Sequence, residues 1–277
     1  MIRVGKGSFS TVLGTEGDLC HYPTRLDTYS CGCQHDCAYC YAKSILDFRN
    51  LWDARRPKVA DPSEIAKAVD QLRPGEVVRL GGMTDCLMPL ERFAGVTKAT
   101  IQLLNARKVP YLIVTKSDLI ADDDYIAALD PKLAHVQITV TSTSDEPNFL
   151  KERATPPTMR LRAAETLSGA GFDVSLRISP YIPELIDMER LNTVKVDKCL
   201  VEFLRVNHWI EKWLGRDFPT HSLRIGQYRH LPLMDKLEML RGFEFPEMTV
   251  CDDVPRHYRY FQRKFNHNPD DCCNLRK

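Results

Sequence analysis

The sequence predicts an α/β protein: an open, partial (β/α)6, TIM-like barrel followed by a C-terminal helical or irregular extension. Three observations predict it. Short apolar runs suited to buried parallel strands alternate with helical patterns. The residues that end those runs are polar or Gly-rich each time, as one pocket lined from several strand ends requires. A chain of 277 residues fits one large domain or at most two small ones.

The elements follow in order. A first strand near residues 25–30 leads into a Cys-rich loop. Asp61-Pro62-Ser63-Glu64 opens a helix, with Pro near its start and Ile65, Val69 and Leu72 on one face. Val77-Val78-Arg79-Leu80 reads as the second strand and runs into Gly81-Gly82-Met83-Thr84-Asp85-Cys86. Residues 92–106 read as a helix. A third strand, Tyr111-Leu112-Ile113-Val114-Thr115, ends in Lys116-Ser117-Asp118. The fourth, over 136–140, carries Thr139 and leads to Thr141-Ser142. A helix over 158–170 is closed by Gly169 and Gly171. The fifth strand, over 174–178, carries Arg177, and the sixth, over 200–204, ends at Arg205-Val206-Asn207. This β-α order implies a parallel sheet with right-handed crossovers. Past it, residues 208–214 are amphipathic, 228–241 look helical, and the tail from Cys251 is rich in Arg, His, Tyr and Phe. The division expected is an N-terminal segment over 1–23, the barrel over 24–207, and an extension over 208–277 packed on the barrel.

Composition bounds the function. Lys plus Arg total 38 against 37 Asp plus Glu, a net charge of +1, which argues against gripping long nucleic acid through charge alone. A local basic groove stays open. A hydrophobic fraction of 43%, with 14 Gly and 17 Pro, excludes a disordered or low-complexity chain. No stretch approaches the roughly 20 apolar residues of a membrane span. The N-terminus lacks the apolar core of a secretory signal, so a cytoplasmic location with reduced thiols is expected.

Ten Cys are more than a core needs, and four fall within Cys31-Gly32-Cys33-Gln34-His35-Asp36-Cys37-Ala38-Tyr39-Cys40. Such crowding reads as a metal site. Cys37-x-x-Cys40 could be half a zinc site, though no second C-x-x-C exists. A thioredoxin-like pair belongs to a smaller fold. Cys33-x-x-x-Cys37-x-x-Cys40 puts three thiolates on one loop, which leaves one iron of a cubane cluster open to a ligand.

The C-x-x-x-C-x-x-C pattern, with Tyr39 before its last Cys, resembles the signature of the radical S-adenosylmethionine (radical SAM) superfamily. Further motifs follow in order: Gly81-Gly82-Met83-Thr84-Asp85, Pro89-Leu90-Glu91-Arg92, Ile113 to Ser117, Glu152-Arg153-Ala154, and Arg177-Ile178-Ser179-Pro180-Tyr181-Ile182-Pro183. Together they resemble the spore photoproduct lyase-like branch, over roughly residues 24–205. The resemblance implies a barrel of the radical SAM type. It implies one [4Fe-4S] cluster on Cys33, Cys37 and Cys40, whose open iron chelates the amine and carboxylate of S-adenosylmethionine. Tyr39 would lie against the adenine; Gly81, Gly82 and Thr84, with Asp85, would meet the methionyl amine; Lys116 would pair with the methionyl carboxylate. Thr139 and Arg177 join this cofactor-binding set. A guanidinium inside an apolar strand needs an anion, and an internal Asp or Glu would serve as well as a ligand. The chemistry implied is reductive cleavage of the sulfonium to a 5′-deoxyadenosyl radical that removes hydrogen from an unactivated carbon, with an electron donor of flavodoxin or ferredoxin type.

In that lyase a Cys returns hydrogen to the product radical. Met83 stands at its position and has no S–H; Cys86 is the nearest thiol and the candidate catalytic residue. Lacking the donor suits a rearrangement or isomerisation of a thymine-type base, possessing an added group, in DNA or as a nucleotide. Arg256-His257-Tyr258-Arg259-Tyr260-Phe261 interleaves cations and aromatics as a phosphate groove would, or as an amphipathic helix with a core stripe would. Three other readings are kept: thymine-dimer lyase; peptide modification with an auxiliary cluster on Cys251, Cys272 and Cys273; and a non-enzymatic zinc-loop nucleic-acid binder. Cys20 and Cys199 are expected to be packing.

Overall fold

A computed structural model describes residues Arg3–Gly5, Phe9–Thr11 and 19–275. Much of the segment expected over 1–23, and the last two residues, lie outside the described residues. Among the described residues the central sheet has seven parallel strands: β1 (Thr24–Leu26), β2 (Val78–Leu80), β3 (Tyr111–Thr115), β4 (Ala134–Val140), β5 (Asp173–Tyr181), β6 (Lys198–Phe203) and β7 (Glu247–Val250). They lie side by side in sequence order, as right-handed β-α crossovers produce. Phe9–Thr11 pairs antiparallel along β1. That strand and β7 are the two edges, so the sheet is open.

The sixfold count falls short by one. Strand β7 comes from the segment expected only to pack on the barrel, and it hydrogen-bonds along β6. The first strand also differs: Tyr29–Ser30 leaves the main sheet and pairs with Lys58–Ala60, which pairs in turn with Arg3–Gly5. Residues 228–241 are not one helix. Tyr228–His230 forms a hairpin with Leu223–Ile225, and a helix covers only Leu233–Met239.

Side-chain parity makes two faces. Leu26, Leu80, Ile113, Ile138, Ile178 and Val201 face the helices in one large core. Their neighbours Arg25, Arg79, Val114, Thr139, Arg177 and Glu202 line the concave side. Helix α1 (Tyr41–Leu46) follows the Cys loop. Helix α2 (Pro62–Val69) has Pro62 in its first turn and Asp61 as its cap, accepting from the Ser63 amide at 2.8 Å. The next helix breaks at Gly95 into Glu91–Ala94 and α3 (Val96–Ala106), while α4 (Pro157–Gly169) packs on β4 and β5. The tail helix α5 (Pro255–Lys264) is amphipathic: Tyr258 and Phe261 are buried, and Arg256, Arg259, Arg263 and Lys264 are exposed.

Candidate active site

The strand ends enclose one cavity of ≈ 1580 Å³, open mouth included. Cys33, Cys37 and Cys40 all line it. Their loop is held by tight turns: the Asp36 amide donates to the Cys33 carbonyl and the Cys40 amide to the Cys37 carbonyl. Cys40 caps α1, its sulfur accepting from the Lys43 amide at 3.4 Å. Gly32 is required because a Cβ there would stand 2.0 Å from the Asp53 carbonyl oxygen. Burial pushes the Cys33 thiol up to about 12 and raises Cys37 and Cys40 as well. Such thiols take a metal by giving up their protons to it. Among the described residues, no three His, Cys, Asp or Glu side chains converge on the point a single ion would occupy. Three thiolates on one loop are the ligand set a [4Fe-4S] cluster takes when one iron is left open.

The glycine-rich segment after β2 lines the cavity next to this loop. Gly81 has φ +83°, and a Cβ there would meet the Val114 carbonyl oxygen at 3.0 Å. The amides of Gly82, Met83 and Thr84 donate to Asp27 Oδ1 at 2.8, 2.9 and 3.3 Å. With its N–H groups tied down, the segment offers carbonyls to a ligand, which suits an ammonium group. Asp85 lines the cavity with both oxygens engaged inside the protein. Its Oδ1 accepts from Leu87 N–H and Thr115 Oγ1, its Oδ2 accepts from Lys116 N–H at 2.6 Å, and His35 Nε2 lies 3.1 Å from Oδ2. Burial opposes its charge, yet His35 and these hydrogen bonds hold the carboxyl down at about 2. Asp85 thus ties β3 to the Cys loop.

Lys116 lines the cavity with its ammonium over the Tyr39 ring, 5.6 Å from the centroid. The Tyr39 hydroxyl donates to Glu152, which also accepts from Thr141 Oγ1 at 2.9 Å and Arg160 Nη2 at 2.8 Å. Against the cost of burial, Arg160 and Lys116 keep Glu152 ionised, its carboxyl lowered to about 2. Thr139 lines the cavity opposite Arg177 in register. Arg177, 4% exposed, has its anion within the protein: it pairs with Glu202 and donates to Gln137 Oε1 at 2.6 Å. The internal acid that the sequence left open is Glu202, which β6 sets beside Arg177, and Arg177 also lines the cavity.

Cys86 is fully buried at 0% exposure in the main core and does not line the cavity. Its carbonyl accepts from Thr97 Oγ1 of α3 at 2.6 Å, and its side chain is packed in the main core. Met83 does line the cavity. So do Cys20, Cys251, Cys272 and Cys273, which the sequence left as packing or open. Cys199 is core, as expected. Sequence reasoning also missed Asp27, Glu152 and Glu202 as organisers. Glu152 stood in a quoted motif, and period-two parity from Leu200 puts Glu202 on the concave face.

A radical SAM enzyme is what this loop, cavity and sheet define. The radical SAM superfamily model matches residues 28–196, and the chain belongs to that superfamily. The superfamily uses a [4Fe-4S] cluster and S-adenosylmethionine, and the residues present fit both. An uncharacterized protein of Mycobacterium tuberculosis is 30% identical over 166 residues, covering 56% of this chain and 49% of that protein. An uncharacterized protein of Methanocaldococcus jannaschii is 28% identical over 163 residues, covering 57% and 60%. The chain spans about half the length of the mycobacterial relative it matches. Among solved structures, spore photoproduct lyase complexed with dinucleoside spore photoproduct superposes with a TM-score of 0.63 at 16% identity, over 89% of this chain and 80% of that one. A lyase mutant with bound AdoMet and the same dinucleoside gives 0.61 at 16% identity, over 88% and 78%. At such identity the likeness is one of fold. No helix among the described residues is long and apolar enough to cross a membrane.

Proposed function

We propose that this radical SAM enzyme removes hydrogen from a thymine-type base, carrying an added group, in DNA or as a nucleotide, and that the product is a rearranged or isomerised base. The observation that carries the reading is the pair Met83 and Cys86: the cavity-lining side chain has no S–H, and the neighbouring thiol is turned into the core. The likeness in fold to a lyase that holds a dinucleoside lesion supports the choice of base.

When bound, the cluster and S-adenosylmethionine supply reductive cleavage of the sulfonium and hydrogen abstraction at an unactivated carbon. The protein's residues hold and orient. Cys33, Cys37 and Cys40 bind the cluster. The carbonyls of 81–84 receive the methionyl amine, and Lys116 receives the carboxylate. Glu152 fixes Tyr39 for the adenine. At the mouth, Arg205 lies between the Tyr41 and Tyr228 rings, 4.9 and 5.0 Å from their centroids, a place where an extruded base and its phosphate would be gripped. The exposed basic face of α5 begins just past cavity-lining Asp253 and would carry flanking phosphate. A flavodoxin- or ferredoxin-type carrier would deliver the electron.

Thymine-dimer lyase chemistry is the second reading, favoured by the four other thiols that face the cavity. The test is anaerobic reconstitution with S-adenosylmethionine deuterated at C5′ and DNA containing either thymine dimers or modified thymine. Rearrangement gives an isomer with the elemental formula of the substrate, carrying deuterium from C5′. Met83→Cys should then divert the product toward solvent-derived hydrogen. Finding neither deuterium in the base nor 5′-deoxyadenosine above background with either DNA would sink the reading.

A further inference from the structure

Four cysteines outside the Cys loop meet at one place. Cys20 precedes β1, Cys251 directly follows β7, and Cys272 and Cys273 sit in the tail beyond α5. All four line the cavity that Cys33, Cys37 and Cys40 also line. Cys272 and Cys273 are buried in one cluster, with Cys251 and Cys20 packed against it. Tyr258 packs in the same cluster, and its hydroxyl donates to the Leu19 carbonyl at 2.8 Å. All are free thiols.

We propose that Cys20, Cys251, Cys272 and Cys273 hold a second iron–sulfur centre, on the tail-side wall of the cavity.

Two independent observations lead there. The first is convergence. A buried thiol alone is a small hydrophobe, and packing accounts for it. Packing gives no reason for three distant segments to deliver four thiols to one wall. Soft thiolate sets of this kind select iron–sulfur, zinc or copper(I). The side chains do not close on a single-ion point, and in this they match Cys33, Cys37 and Cys40. Four thiolates are the ligand set of an iron–sulfur centre.

The second observation is charge. Arg79 and Arg177 both face Cys273. Arg177 pairs with Glu202, and Arg79 also acts on that same carboxylate, so two guanidinium groups share one acid; Arg79 Nε is buried with no hydrogen-bond partner. Two cations against one carboxylate leave room for a further anion. An iron–sulfur core wrapped in four thiolates carries net negative charge, and Arg79 would answer it. Cys20, Cys251, Cys272 and Cys273 would leave this centre without an open iron, unlike the three-thiolate cluster of the loop. The resemblance to the lyase branch implies only the loop cluster, and nothing in the second centre depends on the thymine substrate.

Metal analysis of the whole chain decides the matter. The wild type, the triple variant Cys33→Ala/Cys37→Ala/Cys40→Ala and the quadruple variant Cys20→Ser/Cys251→Ser/Cys272→Ser/Cys273→Ser are reconstituted anaerobically with iron and sulfide. The expected iron is about eight per chain in the wild type and about four in each variant, with matching sulfide. Adding S-adenosylmethionine should change the paramagnetic resonance of the reduced quadruple variant and leave that of the triple variant unaltered. About four iron in the wild type with none in the triple variant would overturn the proposal. So would zinc in place of iron in the triple variant. Should the quadruple variant fail to fold, the wild-type and triple-variant counts still decide.

Discussion

The cavity has two walls, and they are assembled on different principles. The cofactor wall is local. Its thiols, glycines and Lys116 lie in loops that leave β1, β2 and β3, and each loop is braced by a carboxylate nearby in the fold: Asp27 under residues 82–84, Asp85 between β3 and His35, Glu152 behind Tyr39. The tail wall is long-range. Arg177 on β5 takes its anion from β6, and its thiols arrive from before the first strand and after the last. A long-range wall exists only once the last strand and the tail have docked.

The tail wall should therefore carry the larger stability penalties. Glu202→Ala strips Arg177 of its partner inside the sheet. Breaking a buried pair costs about 3–5 kcal/mol, and the lower end applies because Glu202 keeps 28% exposure. Burial opposes the Glu202 charge, but Arg177 and the bond from Ser179 hold its carboxyl down at about 2. Urea unfolding of the single variant should show the loss, and the double variant Glu202→Ala/Arg177→Met should recover part of it. A loss under about 1 kcal/mol, the size of an exposed pair, would show that Arg177 is satisfied without Glu202 and would erase the contrast between the walls.

What the sequence revealed follows the same division. The Cys loop, the Gly81–Asp85 segment and five strands were legible because spacing and periodicity are local signals. Strand β7 was not: Glu-Met-Thr-Val is short and mixed, and it is a strand because β6 offers a partner edge. The hairpin ending at His230 was taken for helix because its apolar residues merge with those of Leu233–Met239. Arg177 announced that it needed an anion, but only the register of β5 and β6 picks Glu202 over a ligand. Cys20 had no local signal at all, since its neighbours in space are at the other end of the chain.

Acid should separate the walls next. His221, with Nε2 3.1 Å from the Leu204 carbonyl oxygen, is lowered by burial from its ordinary value near 6.5 to about 4, and burial with the nearby Lys236 lowers His257 to about 4. A depressed imidazole binds its proton more weakly in the folded state, so stability is lost as pH falls from about 6.5 toward 4. Asp252, facing Lys236 and His257, opposes this: burial raises it to about 6, so its contribution grows as pH falls through that value. The cofactor-wall carboxylates Asp85 and Glu152, lowered to about 2, stay charged throughout and weaken the fold only as pH drops from about 4 toward 2. Amide exchange at pH 5 against pH 7 should therefore quicken in 218–239 and 255–264 before it quickens in 36–41. Simultaneous loosening would mean that the two walls unfold as one unit.

The smallest effect tests which side of the divide Cys86 belongs to. Its sequence position, three residues past Met83, made it a candidate donor; its burial among α3 and β2 makes it packing. Cys86→Ala removes one buried sulfur, a loss of about 1 kcal/mol from transfer and residual cavity. Because the side chain does not reach the cavity, S-adenosylmethionine cleavage by the reconstituted variant should stay within twofold of wild type. Burial raises the thiol well above its ordinary range, with Asp85 and Glu91 adding to the effect, so it also has no thiolate to offer. A tenfold fall in cleavage with stability intact would return Cys86 to the chemistry and place a working thiol behind the glycine-rich segment, where this packing leaves no path to a substrate.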